Sequence, residues 1–399
     1  MLKKVTSSQK FSLISIQYFY NSNSQRWNFL RDLNSFFLHF TLLKMATTLA
    51  GINPADFKGV VQGKQVDLYI LKNSKGAEVC ISNFGAIIVS FVVNDKNGKP
   101  TNIVLGQPTL KSYTDNPTRF LGATVGRYCN RIAKGKFVID GTEYNLPINN
   151  GPNNLHSGDL TGFHNRVFDV VEYKPNYLHL VHTSPDGENG FPGNLTANLK
   201  FTLTEDNELV FNTRATTDKA TVCSVTNHSF FNLHGGNCCA MDTSLTLNCN
   251  WFLPGDDTNI PYGEIRPVKN TNFDFTSPHL INERIEADDE QLKFGAGYDH
   301  TYVINHRTAG DMTKAATAHS DKTGITLEVS TTLPGIQLYT GNYLDGCDGT
   351  APGTKNNHRY AFCLEAQYFP DTPNQGHFPS CLLRPCQTYN HTITYKAYA

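Results

Sequence analysis

Ile87-Ile88-Val89-Ser90-Phe91-Val92-Val93 is a run of β-branched and aromatic residues bounded by Gly85 and Asn94. Side chains branched at Cβ lose rotamer freedom in a helix and pack well on a pleated surface, so the run reads as a strand. Val66-Asp67-Leu68-Tyr69-Ile70-Leu71 reads the same way, and similar short segments recur to the C-terminus. Between them lie Asp140-Gly141, Asn150-Gly151, Asp186-Gly187, Pro254-Gly255-Asp256 and Asp345-Gly346, residue pairs and triplets that accept the positive φ of tight turns. No internal repeat, heptad or low-complexity block is evident, and helical signals are short. The expected fold class is all-β, a large antiparallel β-sandwich.

Composition narrows what such a fold can do. The 399 residues carry 34 Lys plus Arg against 35 Asp plus Glu, a formal net charge of -1, which gives no overall attraction to nucleic acid or to an anionic membrane. A neutral small molecule is the better-matched partner. The ten cysteines have neither C-x-x-C spacing nor a compact framework, which predicts free thiols in a reducing, cytoplasmic compartment. The sequons at Asn194, Asn227 and Asn390 are then chance matches. Residues 1–44 differ from the rest: up to Arg31 they carry five basic residues and no acid, as a targeting leader does. Phe36 to Leu43 is too short an apolar stretch to span a bilayer. Met45-Ala46-Thr47-Thr48 reads as a second start, so an upstream extension is the other reading, and disorder of residues 1–44 is expected under both.

Three segments embed polar groups in an apolar strand pattern. In Gly126-Arg127-Tyr128-Cys129-Asn130-Arg131-Ile132-Ala133-Lys134-Gly135-Lys136-Phe137, followed by Leu155-His156-Ser157-Gly158, the donors suit sugar hydroxyls, although both arginines could equally tie strands to neighbouring carbonyls. In Ser224-Val225-Thr226-Asn227-His228-Ser229-Phe230-Phe231-Asn232-Leu233, a strand period of two puts Ser224, Thr226, His228 and Phe230 on one face. His228 is either a satisfied core histidine or a proton donor, since an imidazole titrates near neutrality. In Tyr360 to Pro370 the period puts Cys363, Glu365 and Gln367 together, opposite Phe362, Leu364, Ala366 and Tyr368. A carboxylate in so apolar a strand needs an arginine partner or a chemical task. Asp299-His300 is too little to define a metal site, and no metal or other cofactor is expected.

These segments resemble the ordered motifs of the aldose 1-epimerases. Gly126 to Phe137 is similar to the family's G-R-x-x-N-R-I-A-x-G-x-F signature, and Asn154 to Gly158, Ser184 to Gly193, Thr226 to Leu233, Tyr298 to His300, Pro334 to Asn342 and the Glu365 strand follow in order. The resemblance spans roughly residues 55 to 397. It implies one β-supersandwich domain over residues 45–399, with an open sugar cleft on one sheet, and exchange between the α and β anomers of a free hexose. It further implies Glu365 as general base and His228 as general acid, with Asn130, Arg131, His156, Ser229, Phe230, Asp299 and Gln337 binding the monosaccharide. Phe191 and Trp251 are candidate stacking rings beside Phe230. A monomer or weak homodimer is expected. Rival readings are a sugar-binding relative without turnover and a hexose-6-phosphate mutarotase, which should show an extra basic cluster. Cys386, where the family often has glycine, and His164-Asn165 depart from the pattern and put local turn geometry in doubt.

Overall fold

In the computed structural model, which describes residues 47–399, the run from Ile87 is a strand, Ile87–Asn94, buried at every position but the last. It belongs to a four-stranded antiparallel sheet in the order Leu68–Lys72, Glu78–Ser82, Ile87–Asn94, Pro100–Asn102. The run from Val66 is not one strand as expected: Lys64–Val66 and Leu68–Lys72 are separated at Asp67, whose N–H donates to the side chain of Asn83 at 2.9 Å instead of to a neighbouring strand.

Two larger antiparallel sheets build the sandwich, and all-β is the fold class. The nine-stranded sheet runs in the order Asp169–Lys174, Tyr177–Ser184, Leu195–Leu203, Glu208–Thr217, Tyr389–Tyr398, Thr326–Thr331, Thr313–His319, Ser244–Leu247, His279–Leu280. Its C-terminal strand lies near the middle, paired on both sides. Along Leu195–Leu203 burial alternates residue by residue, the signature of a sheet with one face on a core. The seven-stranded sheet runs Arg266–Pro267, Trp251–Phe252, Asp299–Val303, Gly335–Tyr339, Phe362–Gln367, Phe230–Phe231, Val104–Leu105. Leu199, Phe201, Leu327 and Val329 from the first sheet share one hydrophobic cluster with Tyr302, Leu338, Phe362 and Leu364 from the second. One face of the seven-stranded sheet therefore closes the main core, and the alternate residues face the other way.

Among the described residues helix is confined to Leu110–Asp115, Glu290–Gly295 and single turns of 3-10 helix, and none of these is long and apolar enough to cross a membrane. Residues 48–399 form one compact unit. The expectations for residues 1–44 and for the start at Met45 lie outside the described residues.

Candidate active site

Register places the chemistry. Three adjacent strands pair so that Asp299, Tyr339 and Cys363 form one row across the seven-stranded sheet, with Phe230 continuing it, and Thr301, Gln337 and Glu365 form the next. Residues two apart on a strand share a face, so both rows stand on the side away from the main core. This bears out the alternation read for the Glu365 strand. The segment around His228 is different: it is not one strand but two short ones, Thr226–Asn227 and Phe230–Phe231, with His228 exchanging backbone hydrogen bonds with Gly122 and Ala123 between them. The imidazole still stacks on the Phe230 ring, with centroids 4.9 Å apart, so the two project together over the sheet face.

A cavity of about 230 Å³ opens on this face, lined by Glu365, His228, His156, Arg131, Asp299 and Phe230 together with residues of the rim. His228 Nε2 lies 3.6 Å from Glu365 Oε1, and Glu365 Oε2 has no hydrogen-bond partner although the residue is 3% exposed. Among the described residues no lysine or arginine pairs with Glu365, so the structural carboxylate tied to arginine is not what is found. Burial, reinforced by Asp299, pushes the Glu365 carboxyl well above its ordinary range, and Arg131 opposes this. Burial likewise pushes His228 down to about 4. Both shifts favour the uncharged forms, so the 3.6 Å approach of the two side chains is not held together as an ion pair.

His156 is held in one tautomer. It follows the short strand Asn154–Leu155 with φ +54°, donates its N–H to the Asn130 carbonyl at 3.1 Å, and accepts the Asn130 N–H on Nδ1 at 3.1 Å. An unprotonated Nδ1 leaves the hydrogen of the neutral ring on Nε2, which is a donor. His156, His228 and Glu365 each bring a ligand-capable atom within 4.8 Å of the others, but a metal on His156 Nε2 would need the hydrogen moved to the nitrogen that already accepts from Asn130. The trio is better matched to hydrogen bonding with hydroxyls.

The two arginines of the 126–137 motif divide. Arg131 lines the cavity, donating from Nε to Asn150 at 3.0 Å, with Nη1 3.7 Å from Asp299. Arg127 is buried and donates to the carbonyls of Ser184, Pro185, Pro192 and Gly193 and to the Ser184 hydroxyl, so it ties loops and not ligand. Asn130 and Gln337 do not line the main cavity; they border a much smaller one that shares Asp299 with it. Gln337 Nε2 donates to Asp299 at 2.7 Å. Ser229 lines neither, its hydroxyl donating to Asn227 at 2.6 Å. Phe191 is buried against Phe137 and Arg127, and Trp251 stands on a strand near the sheet edge, so Phe230 is the one candidate stacking ring that faces the cavity. His300, on the opposite side of the strand from Asp299, sits edge-on to Phe252 and Phe273.

Two aromatic rings of the site were not anticipated. Phe120 lies parallel to His228 with centroids 6.0 Å apart and packs on His156 and His164 at 4.6 Å, and Tyr339 stands edge-on to His228 and Phe230. Tyr339 could have been found from its spacing of two from Gln337; Phe120, a loop residue at φ +56°, carries no comparable signal. At the rim, Arg119 forks onto Asp345 at 2.7 and 3.0 Å. Outside the site, Ser320, His234 and Asp242 form a hydrogen-bonded row, but Ser320 is wholly buried and no substrate can reach its hydroxyl.

Residues 67–396 match the family model described as aldose 1-epimerase. The chain is 41% identical over 319 residues to a galactose mutarotase from Sus scrofa, covering 79% of this chain and 89% of that protein. It is 34% identical over 342 residues to the aldose 1-epimerase of Escherichia coli K12, covering 84% and 96%. The crystal structure of an aldose epimerase homologue from C. elegans superposes with a TM-score of 0.77 at 31% identity, covering 84% of this chain and 99% of that one. A galactose 1-epimerase structure from Lactobacillus acidophilus gives 0.74 at 28% identity, covering 85% and 96%. The chain belongs to the aldose 1-epimerase family.

Proposed function

We propose that this chain is an isomerase that interconverts the α and β anomers of free hexoses, glucose and galactose among them, with Glu365 and His228 exchanging protons with the sugar. The observation that carries the reading is the pair itself: a carboxyl and an imidazole 3.6 Å apart, buried, unpaired with other charges, on the floor of a cavity lined by donors and an aromatic face. The sugar's O1 and ring oxygen are both bonded to C1, so a base and an acid this close can serve the two at once. Glu365 as carboxylate takes the O1 proton, the C1–O5 bond breaks as C1=O forms, and His228 as imidazolium delivers a proton to O5. Rotation about C1–C2 presents the other carbonyl face, and the same transfers run backwards close the ring.

Ring opening converts carboxylate and imidazolium into carboxylic acid and neutral imidazole, the uncharged forms that burial favours. One proton shared by the pair therefore serves both directions. The form that meets the closed ring is reached when the sugar's hydroxyls and Arg131 solvate the carboxylate. His156, donating from Nε2, and Arg131 can stabilise charge that develops on sugar oxygens, while Asp299 accepts from a hydroxyl and Phe230 covers an apolar face of the ring. Gln337 supports Asp299 from behind, and Asn130 borders the smaller cavity beside it.

The cavity favours a neutral sugar over a phosphorylated one. Arg119 is forked onto Asp345 and Arg131 stands beside Asp299, so both lining arginines already face a carboxylate. The chain is proposed to work in the cytoplasm as a monomer or weak homodimer; its ten unpaired cysteines support a reducing compartment. Polarimetry on freshly dissolved α-galactose, α-glucose and α-glucose 6-phosphate tests the reading. Faster approach to rotational equilibrium with the free sugars supports it, and no acceleration with purified protein refutes it, while preference for the phosphate overturns the substrate class.

A further inference from the structure

Behind the cavity a row of buried polar side chains runs beneath the sugar site, and each member has one group to give and one to receive. The Tyr368 N–H donates to Ser224 Oγ at 3.2 Å, and Ser224 Oγ meets Cys129 Sγ at 3.1 Å. Cys129 Sγ donates to Gln367 Oε1 at 3.6 Å, and Gln367 Nε2 to Thr301 Oγ1 at 3.3 Å. The Thr301 hydroxyl donates to Gln337 Oε1, and Gln337 Nε2 to Asp299 Oδ1 at 2.7 Å. Ser224, Cys129, Gln367, Thr301 and Gln337 are all buried.

Direction follows from chemistry. A backbone N–H can only donate and a carboxylate only accept, so the two ends set the sense of every link between them. With Thr301 donating to the Gln337 oxygen, the amide nitrogen has to face Asp299; reversed, it would set oxygen against carboxylate. We propose that Thr301 and Gln367 are positioning residues for sugar recognition, fixing the Gln337 amide so that Asp299 is held at the edge of the cavity. The inference rests on the proposed epimerase reading and names a role for residues that touch no substrate.

Gly335 supports the row independently. It pairs with Gln367 on one side and Val303 on the other, two residues along its strand from Gln337, which pairs with Thr301. A Cβ there would stand 2.9 Å from the Phe369 ring, nearer than Cβ atoms approach, and 3.0 Å from Thr301 Cγ2, tighter than most Cβ contacts. The missing side chain leaves the gap that lets Gln367 reach Thr301 along the diagonal.

The test is anomer exchange by Thr301→Val, which keeps the β-branched shape and removes the hydroxyl, beside Thr301→Ser, which restores it. Loss of a hydrogen bond to a charge-holding group should raise KM for galactose about 10-fold with kcat within about twofold, and Thr301→Ser should recover most of the loss. Gln337→Leu supplies the cycle: if Thr301 acts through Gln337, adding Thr301→Val to Gln337→Leu changes KM no further. Effects of the two changes that simply multiply, or a Thr301→Val enzyme with wild-type KM, overturn the proposal. A wild-type enzyme without anomer exchange would instead overturn the functional reading beneath it. Thermal melting of each variant separates unfolding from mispositioning.

Discussion

Replacing Arg127 with methionine keeps the length of the side chain and removes the fork. Six donor contacts between 2.8 and 3.2 Å disappear, and the carbonyls of Ser184, Pro185, Pro192 and Gly193 lose that donor in a buried setting. At about 1.5 kcal/mol for each hydrogen bond to a charged group the gross loss is on the order of 9 kcal/mol. Against this stands the cost of burying the guanidinium, which burial holds down to about 10 from 12.5, worth about 3 kcal/mol. Bonds sharing one group are not independent, so the net loss should be about 3–5 kcal/mol, the range for breaking a buried charged set. Guanidinium chloride unfolding followed by circular dichroism measures it, with anomer exchange assayed per folded molecule. Arg127→Met should lower the midpoint sharply and keep activity, while Arg131→Met, which loses one hydrogen bond but lines the cavity, should do the reverse. A midpoint shift worth less than about 1 kcal/mol for Arg127→Met, or loss of activity in a fully folded sample, would refute the division of labour.

Further outcomes follow from burial and backbone geometry. The pH profile of kcat/KM should be level from about 4, below which His228 puts a second proton on the pair, up to a limb well above the usual carboxylate range, where Glu365 gives up the last one; a profile with no acid limb near His228 contradicts the pairing. His164, His228 and His300 are each held down to about 4 from 6.5 by burial, so between those values the unfolded chain binds more protons and stability falls as pH falls. Each should cost about 2 kcal/mol between pH 7 and pH 5, read from urea midpoints, and equal midpoints at the two pH values would show that these rings are not buried neutral. Cys386 sits at φ +69° in an exposed turn closed by the Gln387 N–H on the Arg384 carbonyl, so Cys386→Gly should raise stability by about 1 kcal/mol with activity unchanged. A melting temperature that drops would place strain elsewhere.

The Glu365 strand was legible because it is continuous: Phe362–Gln367 keeps its period of two, and knowing the parity was enough to put Cys363, Glu365 and Gln367 on one face. His228 was found by residue type and motif, and it projects together with Phe230 as the period of two put them, the rings stacked at 4.9 Å, although the ladder is interrupted between Asn227 and Phe230. The roles of Arg127 and Arg131 were left open. Asn130 lies between them at φ +63°, and positive φ resets the direction of everything after it. Asn130, Gln337 and Ser229 were read as ligands because they sit in the motifs; Gln337 and Ser229 bond to Asp299 and Asn227, while Asn130, its Oδ1 accepting the Arg131 N–H, borders the smaller cavity beside Asp299. Phe120 shows what sequence cannot supply, since its ring reaches His156, His164 and His228 only through packing of distant loops.

The central claim is that the Glu365 carboxyl exchanges a proton with the sugar, and Glu365→Gln tests it with nearly unchanged size. A positioned base contributes about 10²- to 10⁴-fold, so kcat for α-galactose measured by polarimetry should fall by that much in a variant that melts and binds galactose as wild type does. A folded Glu365→Gln enzyme that keeps more than half of the wild-type rate would contradict the account.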